Sequence, residues 1–384
     1  MKFDLFFPNR IIFEEGSRSQ ISSLVSSIGQ FPLLLHSKNH PLIPEILNDL
    51  HSAGLETITF PISGEPDLES VSSAVAVGKR QKIDSVISIG GGSVVDTGKV
   101  VAAMLTNPGE ISDYIEVIGR NLPLKNKTLP FIAVPTTAGT GSEVTKNAVI
   151  AVPEKRIKVS MRSPLMIPQI AIIDPVLTAS MPSSLTASTG MDAIIQLIEP
   201  FVSIKANPFV DGLCREGMIR GANSLIDSVQ NGKDLIAREN MCFASICGGL
   251  ALANAGLGAV HGFAGVVGGM YSIPHGMICA ALLAGTLRVN LEAIQKREPN
   301  SPAKKKFEEL AVILTGNVNA GIFRCVEWAE NICEAIEINR LTEMGVGEGD
   351  FDEICEKAAL SSSMKGNPIL LEKKELLDIL EISK

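Results

Sequence analysis

The sequence predicts an α/β domain with a parallel sheet over residues 1–182, followed by an all-helical domain over 183–384. Three observations carry this. Before Met181, short β-rich runs alternate with helical patterns of about a dozen residues, as βαβ units require. After Met181 the apolar periodicity is helical to the end. From Met241 to Leu287 there is no Asp, Glu, Lys or Arg, which marks the buried centre of a large domain. A run of that length also suits a membrane span, but its texture is Gly/Ala-rich (GGLALANAGLGAV, GVVGG) and it is broken by Asn254, His261, Pro274 and His275. Small residues of this kind let core helices approach closely, whereas a lipid-facing helix is richer in Leu, Ile and Phe.

Taken in order, Phe31–His36 reads as a strand and Leu42–Ala53 as a helix closed by Gly54. Thr57–Pro61 is a second strand and Leu68–Gln81 a second helix. Ser85–Ile89 is a third strand that runs into Gly90-Gly91-Gly92-Ser93, with a helix over Val94–Leu105. Leu129–Val134, Ala148–Val152 and Ile170–Ile173 are further strand candidates. In the second half, helix stops are expected at Pro200, Pro208, Gly232, Pro274, Pro302 and Pro368. The charge-free stretch reads as two core helices joined by the turn Ser272–Gly276. It holds His261 and His275, and imidazoles in an uncharged core demand polar partners.

Composition narrows the function classes. With 45% apolar and 20% charged residues and a mean hydropathy of +0.25, the chain is a well-buried globule. A net charge of −8 argues against nucleic acid or an anionic membrane as partner. The N-terminal MKFDLFFPNR has an aspartate and no long apolar run, so no secretory signal is expected there. The seven cysteines are odd in number and form no CxxC pair, which points to a reducing cytoplasm with the thiols as small packing groups. The basic run Lys304-Lys305-Lys306 reads as a solvated helix face.

Two motifs carry chemistry. In VISIGGGSVVDTGK a buried strand ends in three glycines and a serine, and a helix begins. Glycines let the backbone come close to a ligand, and a new helix presents unpaired N–H groups and a positive dipole end, a combination that suits a pyrophosphate. The spacing is neither GxGxxG nor a P-loop, so GGGS alone leaves a plain strand–helix turn as an equal reading. PTTAGTGSEVT, Pro135 to Thr145, follows another strand and is crowded with hydroxyls that can bond ribose or phosphate oxygens, or merely cap a helix.

At these residues the chain resembles the iron-containing (group III) alcohol dehydrogenase family over nearly its whole length. The resemblance rests on GGGSVVDTGK, PTTAGTGSEVT, the segment Ile172–Thr178, Gly190-Met191-Asp192-Ala193, and LALANAGLGAVHGFAGVVGGMYSIPHG. It implies an N-terminal Rossmann-like domain that binds a nicotinamide dinucleotide. It also implies an all-helical domain holding a divalent metal, iron or zinc, in a dehydroquinate synthase-like architecture with the active site in the cleft between the two. Carried over by position, Gly91, Gly92 and Ser93 would hold the pyrophosphate. Thr136, Thr137 and Thr140 would line the adenine and ribose side, and Asn147, Lys158 and Leu177 the nicotinamide side. Asp96 and Lys99 read as an i,i+3 salt bridge. A homodimer or larger homo-oligomer is likewise implied.

The metal set implied by the resemblance falls on Asp192, Gln196, His261 and His275, and here the chain departs from the family pattern. Positions 192 and 196 share one helix face, as a common metal needs, but 196 is Gln where the family has His, and an amide oxygen is a poor ligand for zinc or iron(II). Gly265 stands where many members have another histidine, and Cys279, read as packing, where Asn is usual. Three readings stay open: a metal held by Asp192, His261 and His275 with Gln196 as a weak partner; a metal-free reductase resembling maleylacetate reductases; and a decayed, non-catalytic dinucleotide-binding fold. In the first two, His261 and His275 are the catalytic residues of an enzyme that interconverts a small aldehyde or ketone and its alcohol by hydride transfer. Lyases and phosphate-substrate dehydrogenases of the same architecture need basic residues for anionic substrates, and the charge-free stretch offers none.

The cofactor choice is expected at Ser37. The family usually places Thr-Asp after this strand, whereas FPLLLH leads here into Ser37-Lys38. Without a carboxylate to accept from the ribose hydroxyls, room is left for a 2′-phosphate, and NADP is expected to be accepted and preferred over NAD.

Overall fold

The computed structural model describes residues 3–384, so the first two positions of the N-terminal segment lie outside it. One compact unit comprises Phe6–Thr137 and Gly141–Ser180. Its elements are β1 (Arg10–Phe13), α1 (Ile21–Ser26), β2 (Pro32–Ser37), α2 (Ile43–Ser52), β3 (Ile58–Ile62), α3 (Leu68–Gln81), β4 (Ser85–Gly90), α4 (Gly92–Met104), α5 (Ile111–Tyr114), β5 (Phe131–Pro135), β6 (Asn147–Val152), β7 (Ile157–Arg162) and β8 (Ile170–Ile173). Six strands form one sheet in the order β1-β8-β5-β4-β2-β3, every pair parallel.

Alternate residues of each central strand face opposite sides of the sheet. Leu33, Leu35, Val86 and Ala133 pack with α3 and α4 on one side. Leu34, Ile87, Ile89 and Val134 pack with α1 and α2 on the other. Both faces are therefore covered, and the strands read as continuous apolar runs. The chain leaves β2 toward β3 and returns to place β4 on the other flank of β2. The strand order reverses between β2 and β4, and in open parallel sheets ligands bind beyond the carboxyl ends of the strands at such a point. The ends that meet there are Ser37 and Gly90.

Two expectations shift in this unit. The strand over Ala148–Val152 is real, but it joins an antiparallel hairpin, β6 with β7, rather than the parallel sheet. The four residues between the two runs suit a hairpin and are too few for a parallel crossover. The edge strand β1, paired to β8, has no apolar run long enough to announce it.

The second unit comprises Met181–Lys384, with Ala138–Thr140 and the residues up to Leu5. It is helical: α6 (Ser183–Val202), α7 (Pro208–Gln230), α8 (Leu235–Ala255), α9 (Ala259–Met270), α10 (His275–Arg297), α11 (Pro302–Thr315), α12 (Arg324–Ala335), α13 (Phe351–Ala359) and α14 (Lys373–Ser383). Pro208 and Pro302 open α7 and α11 at the first helical position, where a missing N–H costs nothing. Pro200 does not stop α6, which runs on to Val202.

The charge-free stretch contains three helical segments, not two: the end of α8, all of α9, and the start of α10. The extra break falls at Gly256-Leu257-Gly258, where side chains from elsewhere satisfy the next helix. Val260 N donates to Glu199 Oε1 (2.7 Å) and Ala259 N to Asn367 Oδ1 (3.1 Å). Those carboxylate and amide partners are far away in sequence, so local pattern does not show the interruption. The helices α8 and α10 are long and apolar enough to cross a membrane, yet both are mostly buried inside the protein.

Candidate active site

Several of the residues expected to bind the dinucleotide meet at the β2/β4 switch point. β4 runs straight into α4 through Gly91, which caps the helix without any side-chain hydrogen bond. The first N–H groups of α4 thus lack a capping side chain, as an anion-binding helix start requires. A Cβ on Gly90 would lie 2.6 Å from Ser37 Oγ and 2.4 Å from Val94 Cγ2, so only glycine permits this approach. Gly91 faces the Thr137 side chain, 3.2 Å from where its Cβ would lie, and Thr136 N donates to Gly90 O (3.0 Å). Ser37, Gly91, Gly92, Ser93, Thr136 and Thr137 therefore gather at the carboxyl edge of β2, β4 and β5.

The remaining expected cofactor residues are placed differently. Thr140 is exposed and groups with the helical unit. Lys158 lies on β7 and pairs with Glu65 at 2.7 Å. Leu177 is fully buried against the sheet, and its carbonyl oxygen meets His40 Nε2 at 3.1 Å. Asn147 opens β6, and its carbonyl accepts from Lys99 Nζ (2.7 Å). Lys99 pairs with Asp96 (3.3 Å), as expected, but does more: it also donates to Ser142 Oγ (2.7 Å) and Thr145 Oγ1 (2.8 Å). Burial pushes its pKa down while Asp96 and Glu143 pull it back. This ammonium fastens α4 to the hydroxyl-rich loop, a role that an i,i+3 reading misses.

The residues expected to hold a metal all lie in the helical unit. Asp192 and Gln196 stand one turn apart on α6, His261 on α9, and His275 and Cys279 one turn apart at the start of α10. Gly276 makes this possible: a Cβ there would sit 2.0 Å from the Ser188 carbonyl oxygen, so α10 can begin hard against α6. The ligand atoms of Asp192, His261, His275 and Cys279 all lie within 4.8 Å of one another. His261 Nε2 is 3.2 Å and His275 Nε2 3.9 Å from Asp192 Oδ1, and the two rings are 5.5 Å apart. Asp192 and His261 are buried, while the side chain of His275 is 33% exposed.

Sequence reasoning missed Glu199. It sits seven residues after Asp192 in an otherwise apolar run, and its Oε2 lies 2.6 Å from His261 Nδ1. A charge at that helical spacing inside IIQLIEPFV was the available signal. His261 is thus flanked by two carboxylates. Burial opposes its positive charge, but Glu199 and Asp192 outweigh it and raise the pKa to about 10. Asp192 is held below the ordinary carboxylate range: burial works the other way, and the His261 hydrogen bond and His275 overcome it.

These residues fit a divalent cation. Two buried carboxylates around one imidazole leave a net negative charge even with His261 protonated, whereas a divalent ion beside a neutral His261 balances both. The Nδ1–H of His261 would then donate to Glu199, which holds the ring with Nε2 toward the ion, the carboxylate–histidine–metal arrangement. Gln196 supplies an independent sign. Its Nε2 donates to Gly139 O (3.4 Å), while its Oε1 is buried and has no hydrogen-bond partner among the described residues. An orphaned acceptor of that kind suits a cation or a polar ligand. Glu199→Gln is expected to weaken metal affinity by about 10- to 100-fold in a chelator competition. Unchanged affinity would leave Glu199 with only its role in capping α9.

Known proteins resemble this chain over nearly its whole length. The family model described as iron-containing alcohol dehydrogenase matches residues 8–175, and the C-terminal model of the Fe-containing alcohol dehydrogenase family matches residues 186–383. The chain is 33% identical to 1,3-propanediol dehydrogenase of Klebsiella pneumoniae, over 95% of this chain and 96% of that protein. It is 31% identical to NAD-dependent methanol dehydrogenase of Bacillus methanolicus, over 98% and 99%. A crystal structure of 1,3-propanediol oxidoreductase superposes with a TM-score of 0.91 at 31% identity, covering 100% of both chains.

Proposed function

The chain belongs to the iron-containing alcohol dehydrogenase family and is an alcohol-dehydrogenase-type oxidoreductase, and from that premise we propose that it interconverts a small neutral aldehyde and its alcohol with metal assistance. NAD(H) and a divalent metal, usually iron, serve the family's reaction. The observation that carries the proposal is the pairing of His261 with Asp192 on one side and Glu199 on the other, an arrangement whose charge a divalent cation completes. It also favours this reading over a metal-free site.

Dinucleotide binding is assigned to residues 1–182, with Gly91, Gly92, Ser93, Thr136, Thr137 and Thr140 toward the phosphates and the adenosine. Asn147, Lys158 and Leu177 are assigned to the nicotinamide side. Metal and substrate binding are assigned to residues 183–384, with Asp192, His261 and His275 as ligands and Gln196 Oε1 as a weak fourth. The metal, when bound, polarises the substrate oxygen as a Lewis acid and lowers the pKa of the alcohol.

The protein's own groups do the rest. Glu199 keeps His261 in one tautomer and takes no part in proton exchange with water, since it is buried. His275 is the exposed member of the cluster, and its Nδ1 is the atom assigned to pass a proton to solvent. On α9, four residues after His261, a Cβ on Gly265 would meet nothing within 4 Å. That open space, with no fixed charge on α9 and none on α10 before Arg288, favours an uncharged substrate. We place the enzyme in the cytoplasm as a homodimer or larger homo-oligomer. Turnover with a panel of short aldehydes, paired with elemental analysis of protein purified without added metal, tests the proposal; absence of turnover with either nicotinamide cofactor would overturn it.

NADP(H) is proposed as the preferred cofactor, supported by Ser37 at the β2/β4 switch point with the exposed Lys38 after it. Ser37→Asp is expected to shift the kcat/KM ratio toward NAD by about tenfold or more, because a carboxylate there accepts from the ribose hydroxyls and repels a 2′-phosphate. A strong NAD preference in the unmodified protein would show that another position decides.

A further inference from the structure

We infer that Cys279 is a thiolate ligand of the metal, completing a set of Asp192, His261, His275 and Cys279 that favours zinc over iron. The inference rests on the metal reading above and names a donor that reading leaves out. Cys279 is fully buried on α10, one turn after His275, and its Sγ lies 3.6 Å from His275 Nε2. Two ligands of a tetrahedral zinc site, with Zn–N about 2.0–2.1 Å and Zn–S about 2.3 Å, stand roughly 3.6 Å apart. The spacing of His261 Nε2 and Asp192 Oδ1, 3.2 Å, is close to the roughly 3.4 Å expected for nitrogen and oxygen ligands of one such ion.

The ligand chemistry agrees with the distances. Gln196 offers only a neutral amide oxygen on the helix that carries Asp192, whereas a thiolate is a strong, soft donor that selects zinc. On binding, the Sγ–H proton goes to solvent as the sulfur–metal bond forms, so no oxidant or reductant is needed. The added negative charge falls near the N-terminus of α10, which begins at His275, where the helix dipole favours an anion. Gln196 Oε1 is then left to accept from the substrate or from a water.

Cobalt(II) tests this without any turnover. One equivalent of Co2+ added to metal-stripped full-length protein gives visible d–d bands whenever the ion occupies a tetrahedral site, and a near-ultraviolet sulfur-to-cobalt charge-transfer band only when a thiolate is bound. The wild type is expected to show both. Cys279→Ser and Cys279→Ala are expected to lose the charge-transfer band, keep weaker d–d bands, and bind cobalt more than about 100-fold less tightly. Visible bands without a charge-transfer band in the wild type would overturn the thiolate while leaving the three-ligand reading intact. A charge-transfer band that persists in both variants would assign it to another cysteine and overturn the thiolate as well. Absence of any d–d band would overturn both readings.

Discussion

His275→Ala is expected to strip the metal: after dialysis against a mild chelator, elemental analysis should find the variant nearly empty where the wild type retains about one ion per chain. His275 Nε2 lies 3.6 Å from Cys279 Sγ and 3.9 Å from Asp192 Oδ1, so its loss opens one side of the cluster. Loss of an outer-shell partner alone costs about 10- to 100-fold in affinity, and loss of a direct ligand is expected to cost more than about 100-fold. The fold should survive, because the ring is a third exposed at a helix start and its removal leaves no large internal cavity. Gln196→His should act in the opposite sense and tighten binding, since an imidazole replaces an amide whose oxygen has no partner among the described residues. Metal retention in His275→Ala equal to wild type would sink the ligand assignment. Full wild-type activity after exhaustive chelation, with no metal detected, would hand the site to the metal-free reading.

The part of this site legible in sequence follows a physical rule. Donors that lie one helical turn apart, such as Asp192 and Gln196, announce a common face, and a strand that runs into three glycines announces a close backbone approach. What escaped depends on partners remote in sequence. Glu199 acts on residues more than 60 positions away, both by capping α9 and by orienting His261. The break between α8 and α9 escaped for the same reason, because Asn367, from beyond α13, satisfies one of the N–H groups it frees. Lys99 looked like half of a local ion pair, and its three further acceptors, two in a loop and one at the start of β6, lie more than 40 residues on. The parallel sheet was readable because its central strands are buried on both faces, whereas β1 is short and the β6–β7 hairpin is partly exposed.

Gly92→Val is expected to abolish dinucleotide binding while leaving the protein folded. Gly92 is the first residue of α4, half-buried at the carboxyl end of β4, where the helix offers N–H groups that no side chain caps. Binding there depends on a pyrophosphate reaching the backbone, and a branched side chain at that position fills the approach. Each hydrogen bond to a charged group contributes about 1.5–3 kcal/mol, so losing two corresponds to a drop of more than about 100-fold in affinity. The position is chosen to separate binding from folding. At Gly90 any Cβ would strike Val94 and Ser37, so a substitution there would disturb the turn itself. At Gly92 a valine enters the first helical turn, and glycine is the poorer helix former of the two, so the helix gains rather than loses stability. Calorimetric titration with NADPH and NADH, alongside circular dichroism and a thermal melt, reads both quantities. The expected result is no measurable heat of binding with an unchanged melt; tight binding by a folded Gly92→Val protein would place the cofactor away from the start of α4.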